Sequence, residues 1–434
     1  MAQKQKIAFH TLGCKLNYAE TATLSSLFDK DIYEHVPFSQ QADVYVINTC
    51  SVTEQANKKC RQSINKAVRT SPGAKVAVVG CFAQLKANEI AEMNGVTLVL
   101  GTKEKFNIVK YLETNTSPSP DIKVHSCEID EVTQYAGSFS LEGRTRSFLK
   151  VQDGCDYNCS YCTIPLARGK SRNPAIDDIV AQARIIEQKE IKEIILTGVN
   201  IGEFKTANGE RFFDLLKALE ANVEVPRFRI SSIEPNLLTD EIIDWIAQSK
   251  KFVPHFHIPL QSGSNNVLRL MRRRYNAEMF ANKVAKIRSV MPNCGIGIDV
   301  IVGTPGETNE YFEDCYSFLE TIDFSYLHVF TYSPRENTDA LAIEPKVLDS
   351  VKSERSKRLH ELSDRKTKAF YKRQLGETHQ VLFEQKNNLG FIHGFTQNYI
   401  KVEYPFTKSL INVITDVELH SLQANGTVLG SIKS

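Results

Sequence analysis

Three cysteines in one short loop constrain this chain more than any other feature of its sequence. Cys155, Cys159 and Cys162 are separated by three and then two residues, directly after the apolar run at 148–151. Structural zinc sites usually pair one C-x₂-C with a second pair of ligands, and no such pair follows Cys162. Three close thiolates suit three corners of a cubane iron–sulfur cluster, whose fourth iron stays open to a substrate. The alternatives are a structural metal knuckle or three unrelated thiols.

Length and charge set the class of protein. A chain of 434 residues is long enough for two to three domains. Its formal net charge of +2 predicts neither a nucleic-acid binder nor a membrane-surface protein, so any basic patch must be local. No apolar run has the length of a membrane span, and the polar start MAQKQK lacks the apolar region of a signal peptide. We therefore expect a cytoplasmic enzyme, in which ten cysteines indicate metal ligands or buried thiols.

A second set of three cysteines lies in the first part of the chain. Strands are predicted over residues 6–11, 43–48, 75–79 and 96–100, with helical segments between them, which indicates a parallel α/β sheet. Cys14, Cys50 and Cys81 follow the first three strands, so they converge at one edge of the sheet. One cysteine at such a place is more often a small buried hydrophobe, but three predict a second cluster. The other four cysteines are predicted to be structural or incidental: Cys60, Cys127, Cys294 and Cys315.

A second strand–helix series follows a polar linker at 114–140. Its strands are predicted over residues 147–152, 193–196, 227–231, 255–259, 297–302 and 326–330. Six such units predict a partial (β/α)₆ barrel, whose chemistry is expected at the carboxyl ends of the strands. The loop of Cys155 lies at that end.

The last part of the chain differs in character. Ten Lys or Arg and four Asp or Glu occupy a helical run at 346–373, which is either a solvated helix face or part of a phosphate track. From residue 376 onward, five β-prone pieces predict a small antiparallel barrel, a shape that often supports RNA binding. Four arginines were expected to extend the track beside the catalytic barrel: Arg269, Arg272, Arg273 and Arg274.

The motif C-x₃-C-x₂-C with Tyr161 before its last cysteine resembles the signature of radical S-adenosylmethionine (SAM) enzymes. With both cysteine triplets in order, the whole chain resembles the methylthiotransferase family. This resemblance implies an N-terminal domain at 1–117, a radical SAM core at 141–345 and an RNA-binding TRAM domain at 370–434. It also implies SAM and two [4Fe–4S] clusters, one held by Cys155, Cys159 and Cys162, the other by Cys14, Cys50 and Cys81.

The resemblance implies SAM contacts in the strand-end loops. Tyr161 is expected near the adenine of SAM, and Gly198 and Asn200, in the run TGVN at 197–200, near its amino group. Glu234 and Gln261 are candidates for hydrogen bonds to the ribose hydroxyls or the amino-acid moiety. Ordinary loop polarity is the alternative for each of these residues, and no catalytic side chain is assigned.

Two short motifs select a branch of the family. The runs LGCKLN at 12–17 and ARG at 167–169 resemble the branch that methylthiolates C2 of N6-threonylcarbamoyladenosine at tRNA position 37. The isopentenyladenosine branch reads more like G-C-Q-M-N, and the ribosomal-protein branch more like G-C-P-K-N. Both stay as alternatives, beside a non-catalytic iron–sulfur protein that binds RNA or transfers electrons. The resemblance also implies an electron donor such as flavodoxin or ferredoxin and a sulfur source.

Overall fold

The structure of the chain is a computed structural model, and it describes residues 4–114, 123–141, 145–388 and 390–433. The first part is a six-stranded sheet in the order β2-β1-β3-β4-β5-β6, with every pairing parallel. Its strands are β1 (Gln5–Thr11), β2 (Tyr33–His35), β3 (Val44–Thr49), β4 (Lys75–Gly80), β5 (Leu98–Leu100) and β6 (Lys123–His125). Its helices are α1 (Lys15–Ser26), α2 (Glu54–Thr70), α3 (Cys81–Leu85), α4 (Ala87–Ala91) and α5 (Ile108–Thr114).

Side-chain alternation explains why this sheet has a core on each face. In β3, Tyr45 and Ile47 pack into one apolar cluster, whereas Val44 and Val46 pack into another. The four predicted strands are confirmed, whereas β2 and β6 were not predicted. The helical segment predicted between the third and fourth of these strands is two short helices, because the chain at Lys86 leaves the helical conformation between α3 and α4.

Six further parallel strands form the predicted partial barrel. They make two three-stranded sheets, β7-β8-β9 and β10-β11-β12, and a parallel bridge between Ser232 and His257 joins the two. The strands are β7 (Arg146–Lys150), β8 (Glu193–Thr197), β9 (Arg227–Ile230), β10 (His255–Gln261), β11 (Gly295–Val302) and β12 (Tyr326–Thr331). The helices are α6 (Ile164–Arg168), α7 (Ile176–Glu187), α8 (Phe212–Asn222), α9 (Asp240–Gln248), α10 (Asn265–Leu270), α11 (Ala277–Val290) and α12 (Asn309–Thr321). One continuous apolar core joins these strands to their helices.

The chain ends in a closed five-stranded barrel, as predicted. A long helix, α13 (Asp349–Lys372), leads into it. The barrel strands are β13 (Thr378–Asn388), β14 (Phe391–Thr396), β15 (Lys401–Pro405), β16 (Ile414–Leu422) and β17 (Val428–Ile432). Their order is β13-β14-β15-β17-β16, and only the β15–β17 pairing among them is parallel. The domain bounds 1–117, 141–345 and 370–434 stay predictions. None of the helices in the described part of the chain combines the length and the apolar character that a membrane crossing requires.

The arginines of α13 mostly hold the helix in place. Arg355 is buried and donates to Glu307 at 2.6 Å. Arg358 and Arg365 pair with Glu313 and Glu320 of α12, at 2.5 and 3.0 Å. These charges therefore fix α13 against α12 and do not support the expected phosphate track.

All four arginines expected to extend that track bond within the protein, Arg269 by donating to Asn266 at 3.3 Å. Arg272 pairs with Asp339, Arg273 pairs with Glu234, and Arg274 donates to the carbonyl of Asp156 at 2.9 Å. A track built on these side chains is therefore not supported either.

Candidate active site

The first cysteine triplet lies where three parallel strands end. Cys14, Cys50 and Cys81 follow β1, β3 and β4, which are neighbours in the sheet. Gly13 has φ +100°, and a Cβ there would lie 2.6 Å from the Cβ of Cys50, so only glycine lets these two loops approach. Burial, and then the neighbouring thiols of Cys81 and Cys14, raise the pKa of the Cys50 thiol to about 12, as expected for three thiols that lie close together.

The second triplet lies on the loop after β7. Gly154 has φ +72°, and a Cβ there would lie 2.0 Å from the carbonyl oxygen of Lys170. The amide of Cys155 donates to the carbonyl of Gly169 at 3.0 Å, which fixes the start of the loop. Burial raises the pKa of Cys155 and of Cys162 to about 12. The loop therefore gathers three thiols that stay neutral unless a partner compensates their charge.

Several donors point at the sulfur atoms of this second triplet. Arg273 donates from Nη1 to the Sγ of Cys159 at 3.1 Å, and Asn200 donates from Nδ2 to the Sγ of Cys155 at 3.8 Å. Backbone amides reach the sulfurs of Cys155 and Cys162, each at 3.4 Å. Hydrogen bonds to sulfur are typical of thiolates that ligate iron–sulfur clusters. All ten cysteines of the chain are free, so both triplets are available, and their soft donor sets fit such clusters.

One cavity lies between the two triplets. Its volume is about 1000 Å³, and its wall includes Cys14 and Cys50 of the first triplet and Cys162 of the second. A cavity of this size holds a nucleotide together with a small cofactor. Groups bound at the two triplets would therefore face the same space.

The structure places three of the five predicted SAM-binding residues on the wall of this cavity: Tyr161, Gly198 and Gln261. A Cβ on Gly198 would lie 2.8 Å from Ile201 Cγ2, so glycine keeps this loop close to its neighbours. Asn200 is buried behind the wall, where it donates to Cys155. Glu234 does not line the cavity, because its carboxylate is paired with Arg273.

The cavity wall also carries a group that the sequence analysis missed. Asp299 Oδ1 lies 2.7 Å from His257 Nε2 and 3.2 Å from His328 Nδ1. Burial alone would raise the pKa of Asp299, but the hydrogen bonds from both histidines outweigh it and lower that pKa. Asp299 and His328 are register partners on β11 and β12. The signal was present in the sequence as polar residues at interior positions of predicted strands.

A buried network of charges joins the first part of the chain to the barrel. Arg168 donates to Glu20 at 3.0 Å and to Asp153 at 2.9 Å, and Lys150 contacts the same two carboxylates. Lys105 pairs with Glu20 at 2.7 Å. Each of these five side chains is at most 2% exposed. Arg172 also contacts Asp153, at 3.2 Å, so four cations surround two carboxylates.

The excess positive charge of this network acts on the first triplet. Burial raises the pKa of the Cys81 thiol, and Arg168 opposes that shift. A cluster held by thiolates would therefore be stabilised by the neighbouring guanidinium.

Comparisons with known proteins divide the chain as the fold does, into the first parallel sheet and the partial barrel. The model of an uncharacterised protein family, UPF0004, matches residues 6–101, and the Radical SAM superfamily model matches residues 149–319. The threonylcarbamoyladenosine tRNA methylthiotransferase MtaB of Bacillus subtilis is 40% identical over 420 residues, covering 95% of this chain and 93% of that relative. The MtaB of Aquifex aeolicus is 39% identical, covering 92% of this chain and 96% of the relative.

Two further proteins are less similar to this chain. A tRNA-2-methylthio-N(6)-dimethylallyladenosine synthase of Bacillus licheniformis is 31% identical, covering 97% of this chain and 84% of the relative. Among solved structures, the radical SAM methyltransferase TsrM of Kitasatospora setae matches with a TM-score of 0.54 and 14% identity, covering 76% of this chain and 77% of that chain. This likeness shows the fold alone.

Proposed function

The chain belongs to the radical SAM methylthiotransferase family, in its threonylcarbamoyladenosine branch, and on this premise we propose that its two cysteine triplets act on one nucleotide held between them. The protein is an enzyme that converts N6-threonylcarbamoyladenosine at tRNA position 37 to its 2-methylthio derivative. The observation that carries the proposed division of labour is the single cavity whose wall includes cysteines of both triplets.

The enzyme uses SAM and [4Fe–4S] clusters. We assign Cys155, Cys159 and Cys162 to the cluster at which SAM binds, and Cys14, Cys50 and Cys81 to an auxiliary cluster. When bound, these groups would supply a carbon radical that takes the hydrogen atom from C2, and the methylthio group that replaces it. Tyr161, Gly198 and Gln261 are the proposed SAM contacts, and their position on the cavity wall with Cys162 supports this assignment. Asn200 and Arg273 are positioning residues, since they donate to the sulfur atoms.

The chemistry of the target explains why the protein needs no general base. The hydrogen on C2 of adenine sits on an aromatic carbon whose pKa no side chain matches. The side chains therefore bind, orient and exclude water, and the cofactors supply the reactivity.

The target base must leave its loop stack to reach the cavity. Three large hydrophobic or aromatic side chains on the wall are exposed: Val52 at 53%, Phe330 at 47% and Tyr18 at 36%. Exposed aromatic surface on the cavity wall suits the stacking of a splayed base. We propose that Phe330 is such a platform.

A basic stripe on α2 gives the tRNA backbone a path to this cavity. Gln55 and Lys59 line the cavity, and Gln62, Lys66 and Arg69 continue on the same side of the helix. All five are exposed, whereas Cys60, Ile64 and Ala67 on the opposite side are buried. The stripe extends about 21 Å along the helix axis.

Partners and location complete the proposal. A flavodoxin- or ferredoxin-type reductant and a sulfur source serve the clusters, and the enzyme acts in the cytoplasm, where its tRNA is. The C-terminal barrel adds RNA contacts as a TRAM domain. The dimethylallyladenosine branch is the weaker alternative, because its relative is 31% identical against 40% for MtaB of Bacillus subtilis. A ribosomal-protein substrate and a non-catalytic role are further alternatives without support from these relatives.

The α2 stripe gives a testable prediction. Replacing Lys66 and Arg69 together with glutamine is expected to weaken tRNA binding on the order of tenfold at low salt, because two phosphate contacts are lost. The slope of log affinity against log salt should fall by about 1.5 to 2. A double change at the exposed Lys189 and Lys250, outside this stripe, is the matched control. Equal losses in both variants would count against the stripe.

The approach of the Gly13 loop to Cys50 gives a second prediction. Gly13→Ala is expected to leave about half the iron of the unchanged protein after anaerobic reconstitution, because the added Cβ displaces the first triplet. Gly73→Ala is the control, since Gly73 has φ +88° but no atom within 4 Å of the added Cβ. Full iron content in Gly13→Ala would show that this close approach is not needed.

Expression in a bacterium that forms N6-threonylcarbamoyladenosine but lacks its own methylthiotransferase tests the function in cells. We expect the 2-methylthio nucleoside to appear in bulk tRNA with the unchanged protein and to be absent with Cys155→Ala. Its absence in both strains, at equal protein levels, would contradict the proposed function.

A further inference from the structure

Lys15 brings an unpaired positive charge into the cavity. It follows Cys14, begins α1 and lies on the cavity wall together with cysteines of both triplets. Within the described residues, its ammonium has no hydrogen bond and no ion pair. A cation that shares a cavity with the reaction site and has no partner in the protein is a ready site for an anion.

The carboxylates near Lys15 are already bonded to other side chains, so an anion that binds Lys15 must come from outside the protein. Glu193 acts electrostatically on Lys15, but both of its oxygens accept from Arg229, at 2.9 and 3.2 Å. Asp299, the one carboxylate on the described wall of the cavity, is already bonded to two histidines. Lys15 and Lys59 are the only Lys or Arg residues on that wall. The cavity is therefore matched to a ligand with a negative group.

The target nucleotide of the proposed function carries such a group. An N6-threonylcarbamoyl substituent joins threonine through its nitrogen and leaves the threonyl carboxylate free, whereas an isopentenyl group has no charge. Resting on the proposed function, we propose that the Lys15 ammonium binds the threonyl carboxylate of the nucleotide. This contact makes Lys15 a specificity-determining residue that also orients the base between the triplets.

The physical effect of this contact is discrimination by charge. A charge-assisted hydrogen bond is about twice as strong as a neutral one, and a nucleotide without the carboxylate leaves the ammonium without that partner. Sites built for a polar group reject analogues that lack it more strongly than apolar pockets reject a change in size. Lys15 thus explains selection of the threonylcarbamoyl base over an isopentenyl base.

The test compares two substrates and four proteins. The substrates are an anticodon stem-loop with N6-threonylcarbamoyladenosine and the same stem-loop with its threonyl carboxylate converted to the methyl ester. We expect the unchanged enzyme to prefer the acid about 10- to 100-fold in kcat/KM and in binding affinity. Lys15→Gln should reduce that ratio to near one. Lys59→Gln removes the other cation of the cavity and should keep the ratio of the unchanged enzyme.

The outcomes separate the role of Lys15 from the proposed methylthiolation. Equal treatment of acid and ester by the unchanged enzyme, or an undiminished ratio in Lys15→Gln, would overturn the role of Lys15 and leave the methylthiolation itself standing. Loss of the preference for the acid in Lys59→Gln, with the preference kept in Lys15→Gln, would show that Lys59 binds the carboxylate and would overturn the role of Lys15. Failure of the unchanged enzyme to form any methylthio product would overturn the proposed function, and the binding ratio would still decide the role of Lys15. Lys15→Arg, which keeps the charge, is expected to retain most of the preference for the acid.

Discussion

Cys14→Ala is expected to abolish methylthiolation, by more than about a hundredfold, while SAM is still cleaved. Cys159→Ala is expected to abolish both reactions, because it removes a ligand of the cluster at which SAM binds. The two activities are measured together, as the 2-methylthio nucleoside in tRNA and as the 5′-deoxyadenosine released from SAM under anaerobic, reducing conditions.

The control for this pair is Cys127→Ala, which removes a free, partly exposed thiol outside both triplets and should retain both activities. Loss of SAM cleavage in Cys14→Ala would contradict the division of labour between the triplets. Methylthiolation retained in Cys14→Ala would show that the first triplet does not hold a required group.

Arg168→Leu is expected to lower the free energy of unfolding by about 3–5 kcal/mol, because it breaks a buried ion network and leaves two carboxylates short of a partner. Denaturant unfolding of the cluster-free protein measures this loss. Arg184→Leu is the control, since Arg184 is exposed and donates to the backbone of Asn222, and it should cost no more than about 0.5 kcal/mol.

The loss of stability in Arg168→Leu is expected to depend on pH. Burial alone would raise the pKa values of Glu20 and Asp153, but the surrounding cations outweigh it and lower both. Such carboxylates stabilise the fold above their ordinary pKa of about 4, and the contribution is lost as pH falls through the lower folded values. The difference between the unchanged protein and Arg168→Leu should therefore be largest above about pH 4.5 and shrink in more acidic solution. A difference that does not change with pH would show that Arg168 acts only through packing.

Local signals predicted most of the fold. All six strands of the second series were anticipated because buried parallel strands read as short apolar runs between polar loops. The positions of Cys14, Cys50 and Cys81 followed from the same pattern, since each comes directly after such a strand. The strands β2 and β6 were missed because each has three residues that mix polar with apolar side chains, whereas β5, equally short, is the apolar run LVL.

The charged parts of the site were harder to predict, because their partners are far apart in sequence. Arg168 was noted only as part of a short motif, yet it bonds to Glu20, 148 residues away. Glu234 was predicted to contact SAM, but Arg273 takes its carboxylate. The arginines expected to bind phosphates are mostly paired, and the α2 stripe has the exposed charges instead. Sequence patterns show which residues are charged, and only the fold shows which of those charges remain unpaired.

Nucleoside mass spectrometry of defined tRNAs is the most direct test of the proposed function. The cluster-reconstituted protein is incubated anaerobically with SAM, a reductant and sulfide, together with tRNA carrying either N6-threonylcarbamoyladenosine or isopentenyladenosine at position 37. We expect the 2-methylthio product on the threonylcarbamoyl tRNA alone. Product on the isopentenyl tRNA alone, or cleavage of SAM without product on either tRNA, would contradict the proposed function.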